Sequence, residues 1–253
     1  MCFDLVRLFR SPLNSKNITL DRSKHMIQRK RNQVDTEEYR FLKSFLETGF
    51  FERFSRSTRN DLVVIEEPYT GFGYADAVGV IYDKSISETW TDARNALQGD
   101  DVKILHHLYL TKRGRCPERL ILELGFPTRR LSRAIDRLAR AGMIIQLKDG
   151  RIKIQSINKI FFVKEIVAVE AKLRDWKGAL TQSRNNLSFC SRSYSLFPTT
   201  AIRPHIKRQY TDTGVGIVSH GSHNRIEVAS TKRTIPSNLS SWHFNEYIGR
   251  TFS

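Results

Sequence analysis

The stretch FFVKEIVAVEAKLRDWKGALTQSRNN, Phe161 to Asn186, decides how the rest of the chain is read. It begins as a strand. Side chains alternate along a pleat, so Val163, Val167, Val169 and Ala171 share one face and Ala168, Glu170 and Lys172 the other. Glu170 and Lys172 therefore project the same way, about 7 Å apart. A carboxylate and an ammonium at the end of an apolar strand cost free energy to place there, so the position asks for a reason. Asp175 is the expected N-cap of a helix running from Trp176 through Gln182 and Arg184. An acid, a lysine, a helix start and a glutamine thus gather at the carboxyl end of a strand, where open α/β sheets bind ligands. The competing reading is a surface ion pair with no chemistry. Acid-x-Lys occurs three times, at Asp101, Glu170 and Asp175, and only Glu170-Ala-Lys172 falls on an apolar strand.

Upstream, Asp35 to Glu47 (DTEEYRFLKSFLE) predicts a helix capped by Asp35 or Thr36 and stopped by Gly49. Glu38, Phe41, Leu42 and Phe45 share one side of it, which puts Glu38 one turn before the apolar stripe. A first-turn glutamate is also favoured by the helix dipole alone. Asp61 to Glu67 and Tyr74 to Asp83 predict two strands around a turn at Pro68 to Gly73. Aspartate is disfavoured in strands, so Asp76, just before a Val-Gly-Val-Ile run, is either a turn residue or a ligand.

Between Lys84 and Lys159 the pattern turns helical. Helices are expected at Asp101 to Leu110, Glu118 to Leu124 and Thr128 to Ala141. A hairpin is expected at Ile144 to Gln155 on the Asp149-Gly150 turn. Three helices and a hairpin outline a winged helix-turn-helix. Its third helix carries Leu131, Ile135, Leu138 and Ala139 on one face, with arginines off that stripe. Asp100 to Ser156 holds 13 Lys/Arg against 6 Asp/Glu, an excess suited to phosphate contacts in a DNA groove. Arg129, Arg130 and Arg133 on the helix, and Lys148 and Arg151 at the wing, are the expected contacts. A winged helix used for protein contact, including a homodimer, is the alternative.

Downstream, strands are expected at Arg192 to Phe197, Gly214 to Ser219 and Arg225 to Ala229, with a Pro204-interrupted helix at Thr200 to Tyr210. Residues 1–33 carry eight Lys/Arg against two Asp and read as a loose basic arm. Residues 231–253, rich in Ser, Thr and Asn, read as a tail.

The formal charge of +16 over 253 residues, with a pI near 10.0, points to a polyanionic partner, nucleic acid before membrane. No apolar run approaches the roughly 18 residues that span a bilayer. Cys2, Cys116 and Cys190 are too few and scattered for a disulfide framework or a zinc site, and fit a cytoplasmic protein.

A helix with Glu38, a strand pair with Asp76, a strand with Glu170-Ala-Lys172, a helix with Gln182 and a further strand: this order resembles the P-D-(D/E)-x-K nuclease superfamily. Val167 to Pro198 carries its most diagnostic half. The family's proline before the aspartate is replaced by Ala75. The resemblance implies an α/β, restriction-endonuclease-like fold, a mixed central sheet flanked by helices. Its core would be discontinuous, 34–83 and 161–230, with a winged-helix domain, 84–160, inserted at a loop. It further implies metal-dependent hydrolysis of DNA. Asp76, Glu170 and the Ala171 carbonyl would hold Mg²⁺ or Mn²⁺, Lys172 would serve the attacking water or the phosphate, Gln182 would shape the site, and Glu38 matches a helix-one glutamate loosely. A non-cleaving DNA-binding regulator and an RNA-directed nuclease are the alternatives.

Overall fold

The computed structural model describes residues 18–21, 26–29, 36–55, 57–68, 74–236 and 238–252. Along the chain run β1 (Ile18–Asp21), β2 (Met26–Arg29), α1 (Glu37–Leu46), β3 (Asn60–Glu66) and β4 (Ala77–Asp83). Then come α2 (Ile86–Thr89), α3 (Asp92–Asn95), α4 (Gly99–Thr111), α5 (Pro117–Leu124), α6 (Thr128–Arg140), β5 (Ile144–Gln146), β6 (Ile152–Ile154) and α7 (Ile157–Ile160). The chain continues through β7 (Val163–Ala171), α8 (Trp176–Asn186), β8 (Arg192–Pro198), α9 (Pro204–Tyr210), β9 (Gly216–His220), β10 (Arg225–Val228) and α10 (Leu239–Phe252). The fold is mixed α/β and divides into two units, Met1–Asp83 with Val163–Ser237, and Lys84–Phe162 with Asn238–Ser253. Among the described residues no helix is long and apolar enough to cross a membrane.

The first unit is a mixed sheet flanked by helices. Six strands run in the order β3-β4-β7-β8-β9-β10, and the β1–β2 hairpin extends the β3 edge. Neighbours are antiparallel at β3–β4, β4–β7 and β9–β10, and parallel at β7–β8 and β8–β9. The parallel pairs β7–β8 and β8–β9 are joined through α8 and α9, as parallel strands require a crossover. One face of the sheet buries Val167, Val169 and Ala171 of β7 with Ala77 and Ile81, Tyr194 and Leu196, against Leu42, Phe45 and Leu46 of α1. Gly79 belongs to this face because a Cβ there would lie 2.3 Å from the Phe51 ring. α1 starts at the Thr36 cap, whose hydroxyl accepts from Tyr39 N–H at 3.1 Å. It is tied to the far strand by His220, with Nε2 2.8 Å from Ser44 Oγ and Nδ1 2.7 Å from Asn224 Oδ1.

α8 packs on β7 and β8 from the other face. It turns Ala179, Ser183 and Asn186 inward, one side of a helix at i, i+4, i+7. The chain leaves this unit after Asp83 and re-enters at Val163, and Val163 pairs with Tyr82. The two ends of the intervening segment are thus neighbours on adjacent strands, a geometry that tolerates an insertion.

In the second unit α4, α5 and α6 are followed by the antiparallel hairpin β5–β6, and Arg115 bridges to Ile152. Gly125 ends α5 in the left-handed conformation at φ +67°. Leu105, Leu108, Leu120, Leu131, Ala134, Leu138, Met143 and Ile152 are among the apolar residues buried on these helices and the hairpin. The stretch read as a tail contributes α10, which packs on α4. Trp242 is fully buried, its ring 5.1 Å from Phe161 and 5.8 Å from Tyr109. Glu246 takes two bonds from Arg94, at 2.7 and 3.2 Å, and Arg94 also donates to Ile160 O at 2.5 Å. The stretch read as a basic arm contains β1 and β2, two strands too short to show a period in the sequence. Its remainder lies outside the described residues, as does most of the expected turn at Pro68 to Gly73.

Candidate active site

Register builds the site. Ala77 at the start of β4 pairs with Val169 of antiparallel β7, so the next rung sets Asp76 opposite Glu170. Residues facing each other across an antiparallel pair point to the same side of the sheet, so the two carboxylates converge although 93 residues lie between them in the chain. The Ala171 N–H donates to Asp76 Oδ2 at 2.8 Å and fixes that side chain against the end of β7. Glu170 is buried, at 1 % exposure. Its Oε1 accepts from Asn186 Nδ2 at 2.6 Å, and the carboxyl otherwise faces that of Asp76, with which it shares a hydrogen bond when one of the two holds a proton.

Lys172 lies beyond the last rung. Its N–H donates to Leu196 O at 3.0 Å, and its Nζ, partly exposed, reaches Glu38 Oε2 at 3.4 Å. Glu38 therefore meets the site through Lys172. Asp76, Glu170, Lys172 and Glu38 are brought together. Gln182 is not: it is exposed on α8, and Asn186, one turn further on, makes the contact with Glu170. The inward stripe of α8 is Ala179, Ser183 and Asn186, which carries no apolar period to mark it in the sequence. A search for small and polar residues at helical spacing would have found it. Beside it a buried polar chain supports the strand end. Ser183 Oγ lies 2.8 Å from Ser195 Oγ, and the Tyr210 hydroxyl lies 2.9 Å from Ser195 Oγ. Ser195 is the register partner of Glu170 on β8.

The connection from β7 to α8 is pinned. Asp175 caps the helix, its Oδ1 accepting from Gly178 N–H at 2.9 Å. A Cβ on Gly178 would lie 2.2 Å from Asp175 Oδ2, so the cap requires glycine there.

Burial raises the pKa of both carboxyls. For Glu170 burial comes first and the charge of Asp76 second, pushing it up to about 8, while Asn186 and Lys172 pull the other way. For Asp76 burial is opposed by the Ala171 N–H and by Lys172. Perturbed carboxyls at a strand end mark candidate functional sites. The folded state holds these protons more tightly than the unfolded chain, whose ordinary values are 3.8 and 4.5. The stability tied to them is therefore complete below about pH 4 and is lost as pH rises through the folded values. In EDTA the melting temperature is expected to fall between about pH 5 and pH 8. Glu170→Gln should flatten that fall and melt above wild type at the alkaline end. A divalent cation, which takes the protons' place, should raise wild-type melting more at the alkaline end than at the acid end. Melting in EDTA that ignores pH in wild type, or falls equally in Glu170→Gln, would refute this electrostatic account.

The two carboxyls could supply two oxygen ligands to a divalent cation that displaces their protons. No group of three or more His, Cys, Asp or Glu that could hold a metal occurs among the described residues. Mg²⁺ commonly takes only one or two carboxylates, completing its shell with water and substrate phosphate.

In the second unit the expected DNA contacts separate into two kinds. Arg129, Arg133 and Lys148 are exposed, with no ion pair among the described residues. Arg130 Nε lies 2.5 Å from Asp100, and Arg151 Nη2 lies 2.7 Å from Asp149. Arg137 is structural, giving two 2.8 Å bonds to the buried Asp101. A scan against protein-family models and searches of curated proteins and of solved structures find no match to the chain.

Proposed function

We propose that the chain is a metal-dependent DNA endonuclease of the P-D-(D/E)-x-K kind, whose first unit hydrolyses phosphodiester bonds and whose second unit is a winged helix contacting duplex DNA. The observation that carries this reading is the Asp76–Glu170 pair of buried carboxyls, opposed on adjacent strands with Lys172 at the same strand end. Asp76, Glu170 and the Ala171 carbonyl would hold Mg²⁺ or Mn²⁺. When bound, the cation polarises the phosphoryl group and acidifies a water.

The chain's own residues perform the rest. The Ala171 N–H orients Asp76, and Asn186 orients Glu170 by occupying Oε1. The Lys172 ammonium offsets charge that builds on phosphate oxygens in the transition state and orients the attacking water. Glu38 steadies that ammonium from α1. In the second unit, α5, the Gly125 turn and α6 would serve as a helix-turn-helix and the β5–β6 hairpin as its wing; their order along the chain supports this reading.

Incubating supercoiled plasmid with the purified protein tests the reading. Nicked or linear product is expected with Mg²⁺ or Mn²⁺, and none with EDTA. Binding without cutting would replace the endonuclease by a regulator on a nuclease-like scaffold, and preferential cutting of RNA would change the substrate.

A further inference from the structure

The loop that leaves the carboxylate strand carries an aromatic corner that the reading above does not use. Trp176, partly exposed, is the first residue of α8. The exposed His205 of α9 meets it edge to face, ring centroids 6.4 Å apart and planes 74° apart. Two rings set this way form a corner: the edge of one covers a single face of the other, and both side chains keep part of their surface exposed. The Lys177 ammonium lies 5.6 Å from the indole centroid.

The corner is held in position relative to Glu170. The Tyr210 hydroxyl lies 3.3 Å from the Trp176 carbonyl and 2.9 Å from Ser195 Oγ, and Ser195 pairs with Glu170. A chain of buried polar contacts thus runs from the strand end that carries Glu170 to the backbone of Trp176.

Positive charge predominates in the two segments that supply the rings. Lys172, Arg174, Lys177, Arg203 and Arg208 stand in the two segments that supply the rings, with Asp175 the sole acid between residues 172 and 177 and none between 203 and 208. Asp175 is already engaged by the Gly178 N–H. Fixed aromatic faces among cations fit nucleic acid by stacking on bases and tracking phosphates. In a duplex interior the base faces are already stacked, so a fixed ring finds an open face only where a base is unpaired.

We propose that Trp176 and His205 form a stacking ledge for an unpaired nucleotide next to the carboxylate pair, so that the substrate is DNA with a single-stranded segment at the cleavage site. The substrate class rests on the nuclease reading, whereas the binding site itself does not.

Binding of a fluorescein-labelled 12-nucleotide single strand, and of a blunt duplex of the same sequence, is measured in EDTA, where no cutting occurs. Trp176→Ala is expected to weaken single-strand binding about tenfold and to leave duplex binding unchanged. Trp176→Phe, which keeps a ring, should retain most of the affinity and controls for folding, alongside equal melting temperatures. His205→Ala should lower single-strand affinity several-fold by removing the second ring. With Mg²⁺, wild type should cut a duplex bearing a single-stranded extension in preference to a blunt one, and Trp176→Ala should lose that preference. Single-strand binding unchanged in Trp176→Ala, or single-strand and duplex binding reduced equally, overturns the ledge. A tenfold single-strand loss in Trp176→Ala with duplex binding unchanged, in a protein that cuts no DNA, upholds the ledge as a binding site and refutes the nuclease reading instead.

Discussion

Asp76→Ala, Glu170→Ala and Lys172→Ala are each expected to lower Mg²⁺-dependent DNA cleavage by about 10²-fold or more. The reasons differ. Asp76→Ala removes a carboxylate and frees the Ala171 N–H that Asp76 Oδ2 now accepts. Glu170→Ala leaves the Asn186 amide without its acceptor in a buried position, so cleavage and stability both respond. Lys172→Ala leaves both carboxylates in place. It should depress turnover, while cation affinity should rise slightly because the ammonium no longer repels the cation. Measuring Mn²⁺ binding by calorimetry beside cleavage separates these cases. Glu170→Ala that cuts like wild type would remove the site from this strand end, and Lys172→Ala that loses cation binding and cleavage in proportion would make lysine a structural residue.

How much of this was legible in the sequence depends on whether a residue announces itself through a period or a misfit. The pleat of β7 was legible: Val167, Val169 and Ala171 enter the apolar cluster as their alternation requires, and Glu170 lies on the other face. Asp76 stood out as an acid before an apolar strand, and strand pairing puts it opposite Glu170. Gln182 did not enter the site, because four residues along a helix rotate a side chain by only about 40° and a polar stripe gives nothing to phase against. Pro204, read as an interruption, stands at the first position of α9, where its missing N–H costs nothing. α10 was hidden by its polarity. Ser241, Asn245 and Glu246 are buried there with polar partners, so the inward face does not read as apolar. Its start was nonetheless written in Asn238, whose Oδ1 accepts from Ser241 N–H at 3.0 Å.

The largest effect expected in the second unit is on the salt dependence of duplex binding. Winged-helix modules set the start of the recognition helix in the major groove and the wing over the backbone. Arg129 and Arg133 at the start of α6 and Lys148 near the turn of the hairpin are exposed, with no ion pair among the described residues, so each is available to a phosphate. Arg130 and Arg151 are engaged by Asp100 and Asp149, whose charges already offset theirs. Replacing Arg129, Arg133 and Lys148 together by Ala should lower the slope of log affinity against log salt by about 2.7, near 0.9 for each lost contact. Across a fourfold rise in salt the wild type should then lose about 40-fold more affinity than the triple variant. Adding Arg130→Ala and Arg151→Ala should change the slope less per residue than the first three. Arg137→Ala is the contrasting control: it strips two bonds from buried Asp101, so it should lower the melting temperature and leave the slope of the folded protein alone. Cation binding at Asp76 and Glu170 should survive in the triple variant, because all three replaced residues lie in the unit that does not carry those carboxylates. An unchanged slope would mean that α6 and the wing contact protein, with a second copy of the chain the first partner to test by sedimentation.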